Sequence, residues 1–539
     1  MGAHAMKTIT REHMRELHTW AGIVFAGLLF SIFWTGTLSV FDKEIDQWMM
    51  PMNRLPAERI QVDISIDKQI RPILDQQASD AAAWTILLPR ERIPFLTLAY
   101  GKEDDRKGQR INYDPLTMEE LPPSYSDGAS NFFYPFHHNL TLRHNNIGAW
   151  IVGIASMGML CLLISGVIIH RRLFTEFFTF RAKAKFGRSN LDLHNLTGVL
   201  PLPFYILITL SGLMIAFMIY FPNAYQGLYN DRQSQSSFQA ARVQTAERQF
   251  LTESLGRKRL PKTNISAEIG SLDAMVKDAE KQWGNNTVYL VRVNYPYDAK
   301  GNVVLRRTND ETITKNIDNY RYDAPSAAFI ERYQSSATVN VWNFISGLHY
   351  IQFKHWTLRW LYFLGGIAGC ICIATGLFFF VEKRWNKHQK QKIAGSRLVD
   401  AMAVTSVTGI LVATAMMMLL NRLIPETFES KAQLEQYGFW GIWLLMAFHA
   451  FSRQFYRQER ISAAWHQQLF LMAALSFSSV LLNWITTGDH LIKTFIWSPD
   501  MAVAGVDVVM IIMALIGLKA GLKLRNKHDS RPLNKLSEE

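Results

Sequence analysis

The sequence predicts a polytopic α-helical membrane protein of about eight transmembrane helices, with two α+β domains outside the bilayer. Three observations carry this. Of 539 residues, 49% are hydrophobic and only 19% charged, against roughly 25% charged in soluble domains. Mean hydropathy is close to zero, so apolar and polar stretches are segregated along the chain. The polar stretches hold short β-branched and aromatic runs bounded by Pro, Gly and Asp, which is strand patterning.

A bilayer core takes about 20 apolar residues per helix. Segments at about 18–41, 145–170, 194–220, 350–381, 400–421, 437–453, 465–486 and 500–522 reach that length, the sixth being the weakest. About 100 polar residues separate the first two and about 120 the third and fourth. The expected domains are 1–41 (N-terminus and first span), 42–136 (first exported domain), 137–220 (spans two and three), 221–345 (second exported domain), 346–385 (fourth span) and 386–539 (four more spans and a tail). The first apolar run has no small-residue cleavage site, so it reads as a retained span. The leading MGAHA has the look of an expression scar, and His4 is set aside with it.

Orientation follows from the short loops. Arg171, Arg172, Arg181, Lys183, Lys185 and Arg188 follow the second span. Lys383, Arg384, Lys387, Lys390 and Lys392 follow the fourth, and Arg453, Arg457 and Arg460 the sixth. The positive-inside rule places these and both termini in the cytoplasm, and the two long polar stretches outside. The net charge of +12 therefore belongs to a membrane edge with lipid headgroups as partners, and no nucleic-acid partner is expected. Cys161, Cys370 and Cys372 all sit in apolar runs and are expected to be packing residues.

The chain is doubled. WTILLP, PFLTLAYG and QRINYDPLTMEEL in the first polar stretch answer NTVYLVRVNYP, GNVVLRRT and NYRYDAPSAAFI in the second. Tyr113-Asp114-Pro115 answers Tyr322-Asp323-Ala324-Pro325. The helices repeat too: His18 is followed by Gly22 and Thr35-Gly36, and His194 by Gly198 and Ser211-Gly212. His18 and His194 open the first and third spans, while His137, His138 and His349 fall at the opposite membrane edge. A pseudo-twofold axis would set His18 against His194, and His137 or His138 against His349. Facing neutral imidazoles in an apolar bundle are what a bis-His haem iron requires. Gly22, Gly36, Gly198 and Gly212 are expected to give a macrocycle room, though glycine also serves plain helix packing. His144, His355, His388, His449 and His466 read as interfacial polar residues. Zinc or copper ligation by the clustered histidines stays open.

LHTWAG, SGVIIHRRLFTEFFTFR, LDLHNLTGVLPLPFYILITLSGL and GLHYIQFKHWTLRWLYFLGGIAGCICIATGL together resemble the PepSY-associated transmembrane family over about residues 7–385. The resemblance implies an inner-membrane protein of Gram-negative bacteria, PepSY-like exported domains, and a four-helix haem-binding core built from two helix–domain–helix repeats. A branch of such proteins consists of haem-containing reductases that release iron from ferric siderophores. Carried over, His18 and His194 are axial ligands at the cytoplasmic side, with His170 as alternative; His137 and His349 are ligands at the periplasmic side, with His138 as alternative. His170 has no counterpart in the second half, where Phe380 stands four residues past Gly376, so it is either a displaced ligand or a propionate partner.

The expected function is then a dihaem oxidoreductase with two bis-His haem b groups. It would pass electrons from a cytoplasmic or quinol donor to a periplasmic ferric siderophore. From His144 to His170 the second span runs about 39 Å, a long way between two haems at opposite edges. A permease for haem or ferric siderophore is the alternative, kept alive by Pro201 and Pro203 inside the third span. A cofactor-free regulatory or assembly protein is the other.

Overall fold

With no water inside a bilayer, backbone groups must bond within their own segment, so apolar runs of this length become helix. The computed structural model describes residues 3–56, 63–101, 108–170, 181, 186–221, 252, 256, 262–457 and 462–529. The basic residues Arg171, Arg172, Lys183, Lys185 and Arg460 lie outside the described residues, as does the C-terminal tail. The chain divides into two units. Met1–Pro51, Tyr125–Leu213 and Thr357–Glu539 form the helical unit; Met52–Ser124 and Met214–Trp356 form the sheet unit.

In the helical unit α1 (Ala3–Ser39) is the first span. Its hydroxyls are satisfied on its own backbone: Ser31 donates to the Gly27 carbonyl at 3.1 Å and Thr35 to that of Ser31 at 2.8 Å. A turn leads into α2 (Asp42–Met49), which buries Ile45, Trp48 and Met49. The chain returns at a π-turn (Ala129–Phe133) that runs into α4 (Tyr134–Asn139) and then α5 (Ile147–Ile169); α3 (Arg71–Ala78) belongs to the sheet unit. Leu140 ends α4 in the left-handed conformation at φ 53°.

The third expected span is a bent pair, α6 (Phe186–Val199) and α7 (Leu202–Ile215), with 58° between the two arms. Pro201 has no N–H to give the Thr197 carbonyl, so the helix breaks there. The Tyr205 hydroxyl donates to that carbonyl at 2.8 Å. A short α8 (Phe217–Tyr220) follows. After the sheet unit come α11 (Trp356–Lys390), α12 (Gly395–Val404), α13 (Ile410–Leu423), α14 (Lys431–Arg457), α15 (Ala464–Thr487) and α16 (Met501–Asp529). A π-turn at Thr405–Gly409 joins α12 to α13, and Trp443 Nε1 donates to the Thr405 carbonyl at 2.8 Å.

Among the described residues, six helices are long and apolar enough to cross a membrane, or seven if the bent pair counts as one span. The expected eight is therefore corrected. The shortfall is α14, which forms over 437–453 but carries Lys431, Glu435 and Gln436 at one end and His449, Arg453, Gln454 and Arg457 at the other. Those polar ends shorten its apolar run below the bilayer thickness.

The two expected α+β domains are corrected to a single unit. Among the described residues it holds one antiparallel sheet of order β3-β2-β1-β4-β5-β6-β7. Strands β1 (Ala83–Leu87), β2 (Leu96–Gly101) and β3 (Gln109–Tyr113) come from the first polar stretch. Strands β4 (Val288–Asn294), β5 (Asn302–Arg307), β6 (Asn319–Asp323) and β7 (Phe329–Tyr333) come from the second. Alone, each set would leave a hydrophobic edge strand open. Pairing β1 with β4, Ile86 opposite Val291, closes both edges at once.

The helices on this sheet show the doubling most plainly. Ser65-Ile66-Asp67 opens the turn into α3 (Arg71–Ala78), and Ser271-Leu272-Asp273 opens α9 (Leu272–Trp283). Each aspartate caps the other segment. Asp67 accepts from the Leu272 N–H at 3.0 Å and Ser271 Oγ at 2.6 Å; Asp273 accepts from the Ile66 N–H at 2.7 Å and Ser65 Oγ at 2.5 Å. Helix α10 (Ala337–Tyr350) completes the unit.

In the same unit Asp298 gathers the Thr263 hydroxyl at 2.7 Å and the N–H groups of Asn264 at 2.6 Å and Lys300 at 2.9 Å. Burial works to raise its carboxyl, but these bonds outweigh it and hold the group down to about 2. A depressed carboxylate stabilises the fold above its unfolded value and loses that contribution as pH falls through the folded one. Acid titration of the sheet unit's near-ultraviolet circular dichroism should therefore show a transition between about pH 4 and pH 2 that flattens in Asp298→Asn.

Candidate functional site

His18 on α1 turns toward α5. Its Nδ1 lies 3.1 Å from the Leu162 carbonyl and 3.0 Å from Ser165 Oγ. His194 on α6 turns toward α11, where its Nδ1 lies 2.8 Å from the Cys372 carbonyl. The two settings are copies. Four residues after each carbonyl stands a glycine, Gly166 and Gly376. A Cβ on Gly166 would come within 3.4 Å of His18 Cε1, and one on Gly376 within 3.1 Å of His194 Cε1. Before each glycine a hydroxyl donates back along its own helix: Ser165 to the Cys161 carbonyl at 2.6 Å, and Thr375 to that of Ile371 at 2.7 Å.

The same cradle occurs a third time. His137 Nδ1 on α4 lies 2.9 Å from the Ile32 carbonyl on α1. Four residues past Ile32 is Gly36, where a Cβ would come within 2.7 Å of the His137 ring. Thr35 before it donates to Ser31 at 2.8 Å. The hydroxyl–glycine pair itself recurs on α7, where Ser211 Oγ donates to the Leu207 carbonyl at 2.6 Å ahead of Gly212. The glycines at 36, 166 and 376 thus make room for imidazoles, which for Gly36 differs from the macrocycle clearance expected of it. A ring N–H given to a carbonyl fixes the tautomer and leaves Nε2 with its lone pair, as a metal-binding histidine requires.

The structure brings His18 and His194 together. Their ring centroids are 6.4 Å apart and the planes stand at 80°. A separation of this size leaves room for one metal ion between the rings, whose nitrogens would bond it at about 2.0 Å. Both residues are half-buried between helices. Among the described residues no group of three or more His, Cys, Asp or Glu side chains is placed to hold a metal ion. A closed zinc site takes four protein ligands. A porphyrin brings four of the six ligands its iron takes, and asks the protein for one or two. The donor set therefore fits haem.

The remaining candidates separate. His138 points away from the bundle; its Nδ1 lies 2.8 Å from the Tyr134 carbonyl of its own helix and its Nε2 is 3.2 Å from Asn139 Nδ2. Neighbouring positions on a helix point about 100° apart, so only one of His137 and His138 can face α1. His170 caps the end of α5, its N–H donating to Gly166 at 3.2 Å, and the ring opposite His194 is that of His18. His349 lies near the end of α10 in the sheet unit, partly buried. One participant escaped the sequence reading. Cys372, expected to be packing, supplies the carbonyl that orients His194 and sets its Sγ 3.6 Å from the same Nδ1. The spacing of four residues to Gly376 was the available signal.

Fold and site together define a polytopic membrane protein with a histidine-bearing helical core and a separate antiparallel sheet unit. The chain belongs to the family described as PepSY-associated TM region, which matches residues 15–383. No curated protein matches the chain.

Proposed function

We propose that the chain is a dihaem transmembrane oxidoreductase of the bacterial inner membrane that reduces Fe(III) held by a siderophore in the periplasm. The observation that carries the reading is the His18–His194 pair, with each Nδ1 engaged on a facing helix and the ring centroids 6.4 Å apart. Bound haem supplies one-electron redox chemistry that no protein side chain here offers. His18 and His194 would hold the cytoplasmic group. His137 would hold the periplasmic group, and the sequence repeat offers His349 as its counterpart. The carbonyls of Leu162, Cys372 and Ile32 hold the imidazoles in register.

Along α1 the two levels, His18 and Ile32, are 14 residues apart by subtraction. That is about 21 Å of helix, well short of the full length of α5. An electron from a reduced cytoplasmic donor or quinol converts chelated Fe(III) to Fe(II). Oxygen-donor chelators hold the softer, less charged ion weakly, so iron is released. The permease reading drew on the bend at Pro201, but the carbonyl freed there is taken by Tyr205 and is not left open to an ion. The test is anaerobic: dithionite-reduced protein, freed of excess reductant, is mixed with a ferric hydroxamate. Reoxidation together with Fe(II) captured by ferrozine is expected; a stable reduced spectrum contradicts the reading.

A further inference from the structure

Arg384 has an unusual set of neighbours. It lies on α11, eight residues past Gly376, the glycine beneath His194. Its guanidinium sits 5.7 Å from the ring centre of Trp20, two residues from His18, and 5.0 Å from that of Phe380, one turn past Gly376. Among the described residues it meets these aromatic faces and forms no ion pair with a carboxylate. On its helix Lys383 and Lys387 flank it, with Glu382 as the one carboxylate nearby, so cations outnumber anions around it. Elsewhere in the helical unit buried cations do have carboxylates: Arg359 has Glu44 at 2.6 Å and Lys431 has Glu426 at 2.8 Å. Stacking on two rings holds the Arg384 fork without using its in-plane donors, which are matched to a carboxylate or phosphate.

We infer that Arg384 is the anion anchor of the His18–His194 site and binds a carboxylate of the tetrapyrrole held there. Trp20 and Phe380 are its positioning residues. The inference rests on the proposed haem reading, and its failure can be told apart from failure of that reading. The chemistry shared with a lipid phosphate makes the source a matter for the test. Full-length Arg384→Gln and Arg384→Lys proteins are purified with their haem and mixed with excess apomyoglobin, and haem transfer is followed in the Soret band. Arg384→Gln is expected to release one haem at least tenfold faster than the parent and to lower one midpoint potential, because a cation next to the site favours the reduced state. Arg384→Lys should restore part of both. Unchanged release and potential in Arg384→Gln would overturn the inference while the parent's haem left the wider reading standing. A loss of co-purified anionic lipid with unchanged haem release would overturn it too, and assign Arg384 to a headgroup. A parent protein without haem would fail the reading on which it rests.

Discussion

His18→Ala and His194→Ala are each expected to halve the haem content, from about two to about one per chain by pyridine haemochrome. The double substitution should remove no more than either single one, because in the proposed reading both imidazoles would serve one iron. His137→Ala should remove the other haem and add to the His18 effect. The rings stand 6.4 Å apart, so in the proposed reading one group would draw on both. If His18→Ala and His194→Ala each removed a different haem, so that the double variant had none, the pairing would be wrong. Gly376 gives a finer probe. A Cβ there would meet the His194 ring at 3.1 Å. Gly376→Val is expected to displace the imidazole and lose the same haem as His194→Ala without removing a ligand.

Arg359→Met is expected to destabilise the helical unit by about 3–5 kcal/mol, because it strands a buried carboxylate. Arg359 bonds both Glu44 oxygens, at 2.9 and 2.6 Å, and the Val40 carbonyl at 2.9 Å. Its side chain is 1% exposed and that of Glu44 7%. Phe41 lies under the guanidinium at 4.5 Å. The pair fixes the turn between α1 and α2 to α11. Replacing both charges, as Arg359→Met with Glu44→Leu, should recover most of the loss, since an apolar pair of similar volume has no desolvation to overcome. Loss of helical circular dichroism during titration with sodium dodecyl sulfate measures both variants. A double variant as unstable as the single one would show that the pair does more than neutralise charge.

Much of this was legible in residue type and spacing. The Leu-His openings at His18 and His194 stand in equivalent positions, and the structure sets those rings against each other. The strand runs in the two polar stretches all became strands, since alternating β-branched and aromatic residues pack well on a pleated surface. Three things were not legible. Which imidazole of the adjacent pair faces inward depends on the rotation of α4, and residue type is the same for His137 and His138. The acceptors at Leu162, Cys372 and Ile32 are main-chain carbonyls, which any residue carries. The union of the polar stretches in one sheet rests on Thr85 pairing with Arg292 across the whole intervening membrane segment, and no local pattern encodes that register. The reciprocal capping by Asp67 and Asp273 is visible only once the two stretches are folded together.

The most direct measurement is the spectrum of the detergent-purified full chain from cells supplied with a haem precursor. Visible absorption on dithionite reduction, with low-temperature electron paramagnetic resonance of the oxidised protein, reports both the presence and the ligation of iron. The account predicts sharp, split low-spin α-bands and low-spin ferric signals, lost for one of two centres in His194→Ala. Colourless protein, or a high-spin spectrum unaffected by His18→Ala and His194→Ala, would contradict it.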